Sequence, residues 1–291
     1  MASHPSTGQQ VESLLSRLEE PIYRKSDTTP MKLPTSSASG ATVTILGLGS
    51  LLSERSSRTT FPDLVDFRLG RISNRYRRVF GHPASIFFQR GLANEETKEF
   101  SSLSAEEFVP EDADAKYQGG FICSVFEIPR DQVYKDEEGS DGTIVTKPTG
   151  AFLEREEEFD IVEVPYMEIS ETDGTAKGFP LEAKKGTLCT RYTDEGFVKR
   201  WGQRRFDENY GKYGIQTIWG WEPDSGLLPC RVYLRHCYLA AQSMGQKCFD
   251  SFLDETFLVD RTTTIREYIQ ENPGLIENTI PPPGFEERYS G

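Results

Sequence analysis

This chain predicts an α+β fold, on three observations. Strand signals crowd residues 41 to about 170, helical spacing dominates the last third, and no internal repeat links the two parts. Strands first and helices last point to helices packed on a mixed or antiparallel sheet. The expected organisation is a flexible tail over 1–40, a β-rich domain over 41–190 and a helical part over 191–291 on the same domain.

The tail is rich in Ser, Thr, Pro and Gln, a composition that buries too little apolar surface to fold alone. Leu14, Leu15 and Leu18 share helical spacing within Val11–Leu18, suggesting a docking helix. A plastid or mitochondrial transit peptide is the alternative; Glu12, Glu19 and Glu20 count against it, since such peptides are poor in acids. Val43–Leu46 reads as the first strand, and Phe67–Phe80 as a long, partly exposed one among arginines. Ala84–Phe88 and Phe121–Ile128 follow, the latter alternating until Pro129, and Ile161–Val164 closes at Pro165. The acidic stretch 106–116 and the charged, glycine-containing stretch 135–143 read as solvated loops. Helical spacing then marks Asp194–Phe206, Val232–Met244 and Phe249–Phe257, the last two broken at Gly245. Thr264-Ile265-Arg266-Glu267 has capping-box spacing and opens a short helix ending near Asn272-Pro273-Gly274.

Composition narrows the function. The 291 residues suffice for a substantial core, and the formal net charge of −13 argues against nucleic acid and anionic membrane surfaces. No apolar run approaches the ~20 residues of a membrane-spanning helix. The five cysteines, Cys123, Cys189, Cys230, Cys237 and Cys248, lack CxxC spacing, which suggests free thiols and a cytoplasmic location. With only His4, His82 and His236, a histidine-rich metal site is not expected.

Two segments carry the chemistry. The run Val43-Thr44-Ile45-Leu46 breaks into Gly47-Leu48-Gly49-Ser50-Leu51-Leu52, a loop whose bare backbone N–H groups can bind carboxylate or carbonyl oxygens. About a hundred residues later comes Gly150-Ala151-Phe152-Leu153-Glu154-Arg155-Glu156-Glu157-Glu158-Phe159. If 152–159 is helical, Glu156 is the acid within the apolar stripe 152, 153, 156 and 159, while Glu154 and Glu158 fall together on another side. A carboxylate among apolar neighbours and like charges has its pKa raised, which suits a general base. The plain alternative is a solvated face of four glutamates.

These segments together resemble the γ-glutamyl cyclotransferase superfamily, nearest its glutathione-degrading, ChaC-type branch. Leu48-Gly49-Ser50-Leu51 matches the family's Tyr-Gly-Ser-Leu loop after the first strand, and Tyr76-Arg77-Arg78-Val79-Phe80 loosely matches its arginine-rich strand. Gly120–Phe126 echoes a further strand, and Leu153-Glu154-Arg155-Glu156 with Phe159 matches the segment of the catalytic glutamate. The likeness covers roughly residues 43–165, with a fainter echo in Leu239-Ala240-Ala241 to Phe252-Leu253. Leu48 departs from the family tyrosine, and the 135–149 insertion and long helical C-terminal part have no counterpart in small members.

The resemblance implies a mixed β-barrel with flanking helices and a cavity for a γ-glutamyl group. The substrate's α-amine would attack its own γ-carbonyl, expelling an amine and closing 5-oxoproline. Glu156 would take the proton and return it to the leaving nitrogen, and Gly47, Leu48, Gly49, Ser50 and Leu51 would hold glutamyl oxygens. No metal or organic cofactor is implied, and the partner is a small γ-glutamyl molecule such as glutathione; oligomeric state is left open. The other class is a catalytically silent protein of the same fold that binds a partner, favoured by Leu48.

Other residues offer weaker readings. Cys189 or Cys237 with His236 would be a thiol nucleophile, but adjacent Cys237 and His236 on a helix point about 100° apart. Gly47-x-Gly49 lacks the third glycine and the later acid of a dinucleotide site. Arg68, Arg71, Arg75, Arg77 and Arg78 read as an exposed strand face or as a cradle for an anion. Trp201, Trp219 and Trp221 with Tyr210 and Tyr213 read as core, a subunit contact or a groove.

Overall fold

The structure, a computed structural model, describes residues 42–110, 117–169 and 183–291. The expected tail over 1–40, with its Val11–Leu18 helix, and residues 111–116 of the acidic stretch lie outside the described residues.

The chain adopts the α+β class, as a closed five-stranded barrel with extra strands and flanking helices. Strands β1 (Thr42–Gly47), β5 (Ile122–Pro129), β2 (Val65–Ile72), β8 (Asp160–Glu168) and β9 (Lys184–Thr190) neighbour one another in that order. The circle closes where β9 meets β1 in parallel at Ile45 and Thr187. Beyond the barrel, β9 touches β4 (Glu99–Glu107), followed by β3 (Tyr76–Pro83) and the short β11 (Thr256–Phe257), while β10 (Leu228–Pro229) pairs β4. The hairpin of β6 (Tyr134–Glu138) and β7 (Ile144–Pro148) stands apart as a second sheet.

Period-two alternation places apolar side chains on both faces of the barrel wall. In β1, Leu46 joins the main core cluster and Ile45 a second one; in β5, Cys123 and Val125 face one way, Phe126 and Ile128 the other. Both faces are covered because helices pack outside. Helices α1 (Glu54–Thr60), α2 (Ser85–Gln89) and α3 (Gly150–Arg155) sit between strands, and α4 (Asp194–Trp201) and α5 (Gln203–Asn209) follow the barrel. Helices α6 (Arg231–Ser243), α7 (Gln246–Asp254), α8 (Ile265–Glu271) and α9 (Leu275–Asn278) complete the chain. Leu234, Ala240 and Phe252 of this last group share one cluster with barrel residues Val125, Val164 and Leu188. Each buried Leu or Phe there contributes about 2 kcal/mol of apolar burial.

Several sequence expectations are corrected. Phe67–Phe80 is two strands, β2 and β3, turned at Ser73–Arg75. Ala84–Phe88 is not a strand but the helix α2: Phe87 packs on Tyr233 with ring centroids 5.2 Å apart, and Phe88 on Phe100 at 5.2 Å. That packing overrides the strand preference of Ile86, Phe87 and Phe88. Pro165 does not end its strand, because it stands where the β2 ladder stops, one residue before the Ile72–Tyr166 pair. Glu106 and Glu107 belong to β4, and 135–143 is largely the β6–β7 hairpin, with Lys147 bridging to Glu137 across it. Asp194–Phe206 is two helices, since Gly202 takes φ of 85° and breaks the run. Phe249–Phe257 is helical only to Asp254; Thr256 and Phe257 pair with β3. The capping box is present, Thr264 and Glu267 each satisfying the other's backbone N–H.

Candidate functional site

A glycine loop, the end of α3 and residues of α4, α5 and α6 line one open cleft of about 1550 Å³. Leu48, Gly49, Ser50 and Leu51 line it, and so does Glu156; Gly47 does not, being the last residue of β1 opposite Ser124. The structure therefore brings four of the five loop residues and the sequence-selected glutamate to one cavity.

The loop is shaped from beneath. Leu52 N–H closes a turn on the Gly49 carbonyl at 2.9 Å, and the Leu51 carbonyl accepts from Ser124 Oγ at 2.6 Å and Ser57 Oγ at 2.8 Å. Arg78, fully buried, reaches up from β3 and donates from Nη1 to the Leu48 carbonyl at 3.2 Å. A Cβ on Gly49 would stand 2.7 Å from the Tyr233 hydroxyl, so close approach requires glycine here. That hydroxyl, from α6, also lies against the Ser50 backbone N–H and lines the cleft. It places a phenol beside a loop whose own Leu48 carries none.

The opposite wall is acidic. Thr149 caps α3, its Oγ1 accepting from Phe152 N at 3.2 Å, and the helix stops when Glu156 leaves helical geometry at φ −107° and ψ 40°. The helical-face reading of 152–159 is thus corrected: 156–158 form a turn, so three successive carboxylates take three environments. Glu156 is partly buried, its Oε1 accepting from Arg155 Nε at 3.0 Å. Glu157 and Glu158 are both buried. Glu157 Oε1 accepts from Ser85 Oγ at 3.0 Å and Asn209 Nδ2 at 2.9 Å, and its Oε2 from Arg205 Nε at 2.7 Å. Glu158 Oε1 accepts from Tyr210 Oη at 2.6 Å and from Ser85 N at 3.2 Å. Burial, and next the Glu157 carboxylate, push the Glu158 carboxyl up to about 7.

Sequence reasoning missed Glu157 and Glu158 because their burial is made by residues far along the chain. Trp201 Nε1 donates to the Glu157 carbonyl at 3.1 Å and Trp219 Nε1 to the Glu158 carbonyl at 3.0 Å. Trp219 in turn stacks on His82 with centroids 4.3 Å apart. Tyr210 and Trp219 are therefore core, Tyr213 and Trp221 pack partly buried against them, and Trp201 lines the cleft; together they brace the acidic turn. No residue of this group announces such a role in sequence; only the run of glutamates flanked by Phe152 and Phe159 marks the spot.

The thiols suit nucleophilic work poorly. Burial pushes Cys237 up to about 12 and Cys189 well above its ordinary value, the latter helped by the Glu156 carboxylate. His236 bonds instead to Ser56 Oγ through Nε2 at 3.1 Å and accepts from Gly291 N at Nδ1. Among the described residues no helix is long and apolar enough to cross a membrane.

No family model matches the chain, and no curated protein matches it. Among solved structures, a selenomethionine-labelled γ-glutamyl cyclotransferase specific to glutathione, from yeast, is similar at 14% identity over 82% of this chain and 95% of that one, with a TM-score of 0.41. That degree of similarity assigns neither a reaction nor a substrate, and the site stands on its own geometry.

Proposed function

We propose that this protein is a γ-glutamyl cyclotransferase-like enzyme, releasing 5-oxoproline from a γ-glutamyl peptide or amide such as glutathione. One observation carries the reading: the Leu48–Leu51 loop and the 156–158 carboxylates line the same cleft. The reaction asks little of a site. Nucleophile and electrophile belong to one substrate, so attack already enjoys an effective molarity of roughly 10⁵–10⁸ M. The α-amine has a pKa of about 7.7–8, within reach of a carboxylate base near neutrality. In this reading Glu156 accepts the amine's proton, and the loop holds the glutamyl oxygens.

The cleft also favours an acidic substrate. Nine Arg and Lys side chains line it against six glutamates, with Arg155, Arg204 and Arg205 paired to Glu156, Glu208 and Glu157, a net local excess of positive charge in a chain of net charge −13.

The test is 5-oxoproline release from glutathione and from a γ-glutamyl dipeptide by wild type and Glu156→Gln. Release by wild type that falls at least about 100-fold in the variant is expected. The second reading is a silent binding protein of the same fold, favoured by Leu48; it prevails if neither protein releases product from either substrate.

A further inference from the structure

The buried pair Glu157 and Glu158 is idle if Glu156 handles every proton, yet it is the most elaborately built feature of the cleft. Ser85 bridges it, giving its hydroxyl to Glu157 and its backbone N–H to Glu158. Arg205 and Asn209 hold Glu157 from α5. On Glu158 the Ser85 N–H and the Tyr210 hydroxyl both bond Oε1, and the residue's own backbone N–H also lies against the carboxyl. Donors already crowd Oε1, so a proton on this carboxyl resides on Oε2, and the carboxyl stands in a wall of the cleft.

We propose that Glu158 is a second catalytic carboxyl, the general acid that protonates the leaving nitrogen while Glu156 serves as base. This rests on the cyclotransferase reading above. The steps balance. The neutral α-amine nitrogen attacks the γ-carbonyl carbon, forming the ring C–N bond, and its proton passes to the Glu156 carboxylate. The old C–N bond breaks as its nitrogen takes the Oε2 proton of Glu158. The enzyme is left with Glu156 protonated and Glu158 ionised, and proton exchange through water in the open cleft restores both. Two carboxyl groups in different environments thus divide the acid and base roles.

The surroundings keep Glu158 protonated. Burial and the Glu157 carboxylate on the same turn do this, outweighing the Tyr210 hydroxyl at the end of α5 and the Ser85 N–H, whose donation favours the ionised form. Trp219 covers its backbone with His82 of β3 stacked behind, and that imidazole is held neutral by burial, its pKa lowered to about 3. Arg200 of α4 is spent on the Phe159 carbonyl at 2.8 Å.

The experiment compares wild type, Glu156→Gln and Glu158→Gln on two substrates, γ-glutamylalanine and γ-glutamyl-p-nitroanilide. Glutamine keeps an oxygen to accept from Ser85 and Tyr210 but cannot donate a proton to the leaving group as a carboxylic acid does. Glu158→Gln should lose at least about 100-fold in kcat on the peptide, whose leaving amine needs a proton, and less than about tenfold on the weakly basic anilide. Glu156→Gln should lose on both. In wild type, kcat on the peptide should fall above about pH 7, and Glu158→Gln should lack that limb. Equal loss on both substrates by Glu158→Gln, or an unchanged alkaline limb, overturns the proposal and leaves the cyclotransferase reading standing. A wild type inactive on both substrates and on glutathione overturns the two together.

Discussion

Arg78 carries a cationic side chain into the core with no ion pair to a carboxylate among the described residues. Its guanidinium donates to Thr256 Oγ1 at 2.7 Å and to the carbonyls of Leu48, Ile122 and Ser251 at 3.2, 3.1 and 3.0 Å. The faces of Phe121 and Phe252 lie 4.8 and 5.2 Å from it. Five N–H donors in a fixed plane suit a set of carbonyls that a lysine could not reach together. Arg78→Met should cost roughly 3 kcal/mol or more, since it orphans several buried acceptors at about 1–3 kcal/mol each. Because one of those acceptors is the Leu48 carbonyl, the variant should also raise KM more than it lowers kcat. An unchanged urea midpoint would show that the loop does not depend on this contact. In sequence Arg78 sits among four other arginines and nothing separates it from them; Arg77, its neighbour, pairs instead with Glu106 at 2.6 Å. The same limit hid Glu158. A run of glutamates is visible, but which one loses its water depends on Trp201, Tyr210 and Trp219, brought from the far end of the chain.

Among the elements, the short helix α3 has the largest consequence for its size, since its end sets where the carboxylates of 156–158 point. Its start rests on Thr149, which caps Phe152 N and also donates to the Gln132 carbonyl at 3.0 Å. Thr149→Ala removes both and should cost about 1 kcal/mol, with Thr149→Ser restoring most of it. Urea unfolding reads this directly; equal midpoints for the alanine variant and wild type would mean that tertiary packing alone sets the helix start. Elements with strong local signals were legible: β1, β5, α6 and the capped α8 stand where alternation, helical spacing and Thr264 put them. Strands β4 and β9 gave no clear local signal, for they are defined by partners, β3 and β8. Helix α2 leaves no mark in the sequence because five apolar-rich residues have no period of their own to show.

At the scale of the whole molecule, burial of titratable groups ties stability to pH. His82 is fully buried with neither ring nitrogen bonded among the described residues, and burial lowers its pKa from 6.5 to about 3. His236 is lowered from 6.5 to about 4 by burial and the nearby Arg288. Glu158 is raised from 4.5 to about 7. The unfolded chain binds the histidine protons below pH 6.5 and the folded one does not, so both histidines make stability fall as pH drops through that window. Glu158 acts oppositely between 4.5 and 7, where the folded state keeps a proton the unfolded state has lost. His236 and Glu158 therefore largely offset each other from 6.5 down to 4.5, and a comparison with a His82 variant isolates the His82 contribution. Stability of wild type relative to His82→Phe should then fall by about 1 kcal/mol for each pH unit of acidification across that range. The variant also removes two unbonded buried nitrogens and keeps a ring against Trp219, so it should still fold. A difference that stays constant from pH 6.5 to 4.5 would mean that His82 takes up its proton in the folded state, and the layer of His82 and Trp219 behind Glu158 would then be charged rather than apolar.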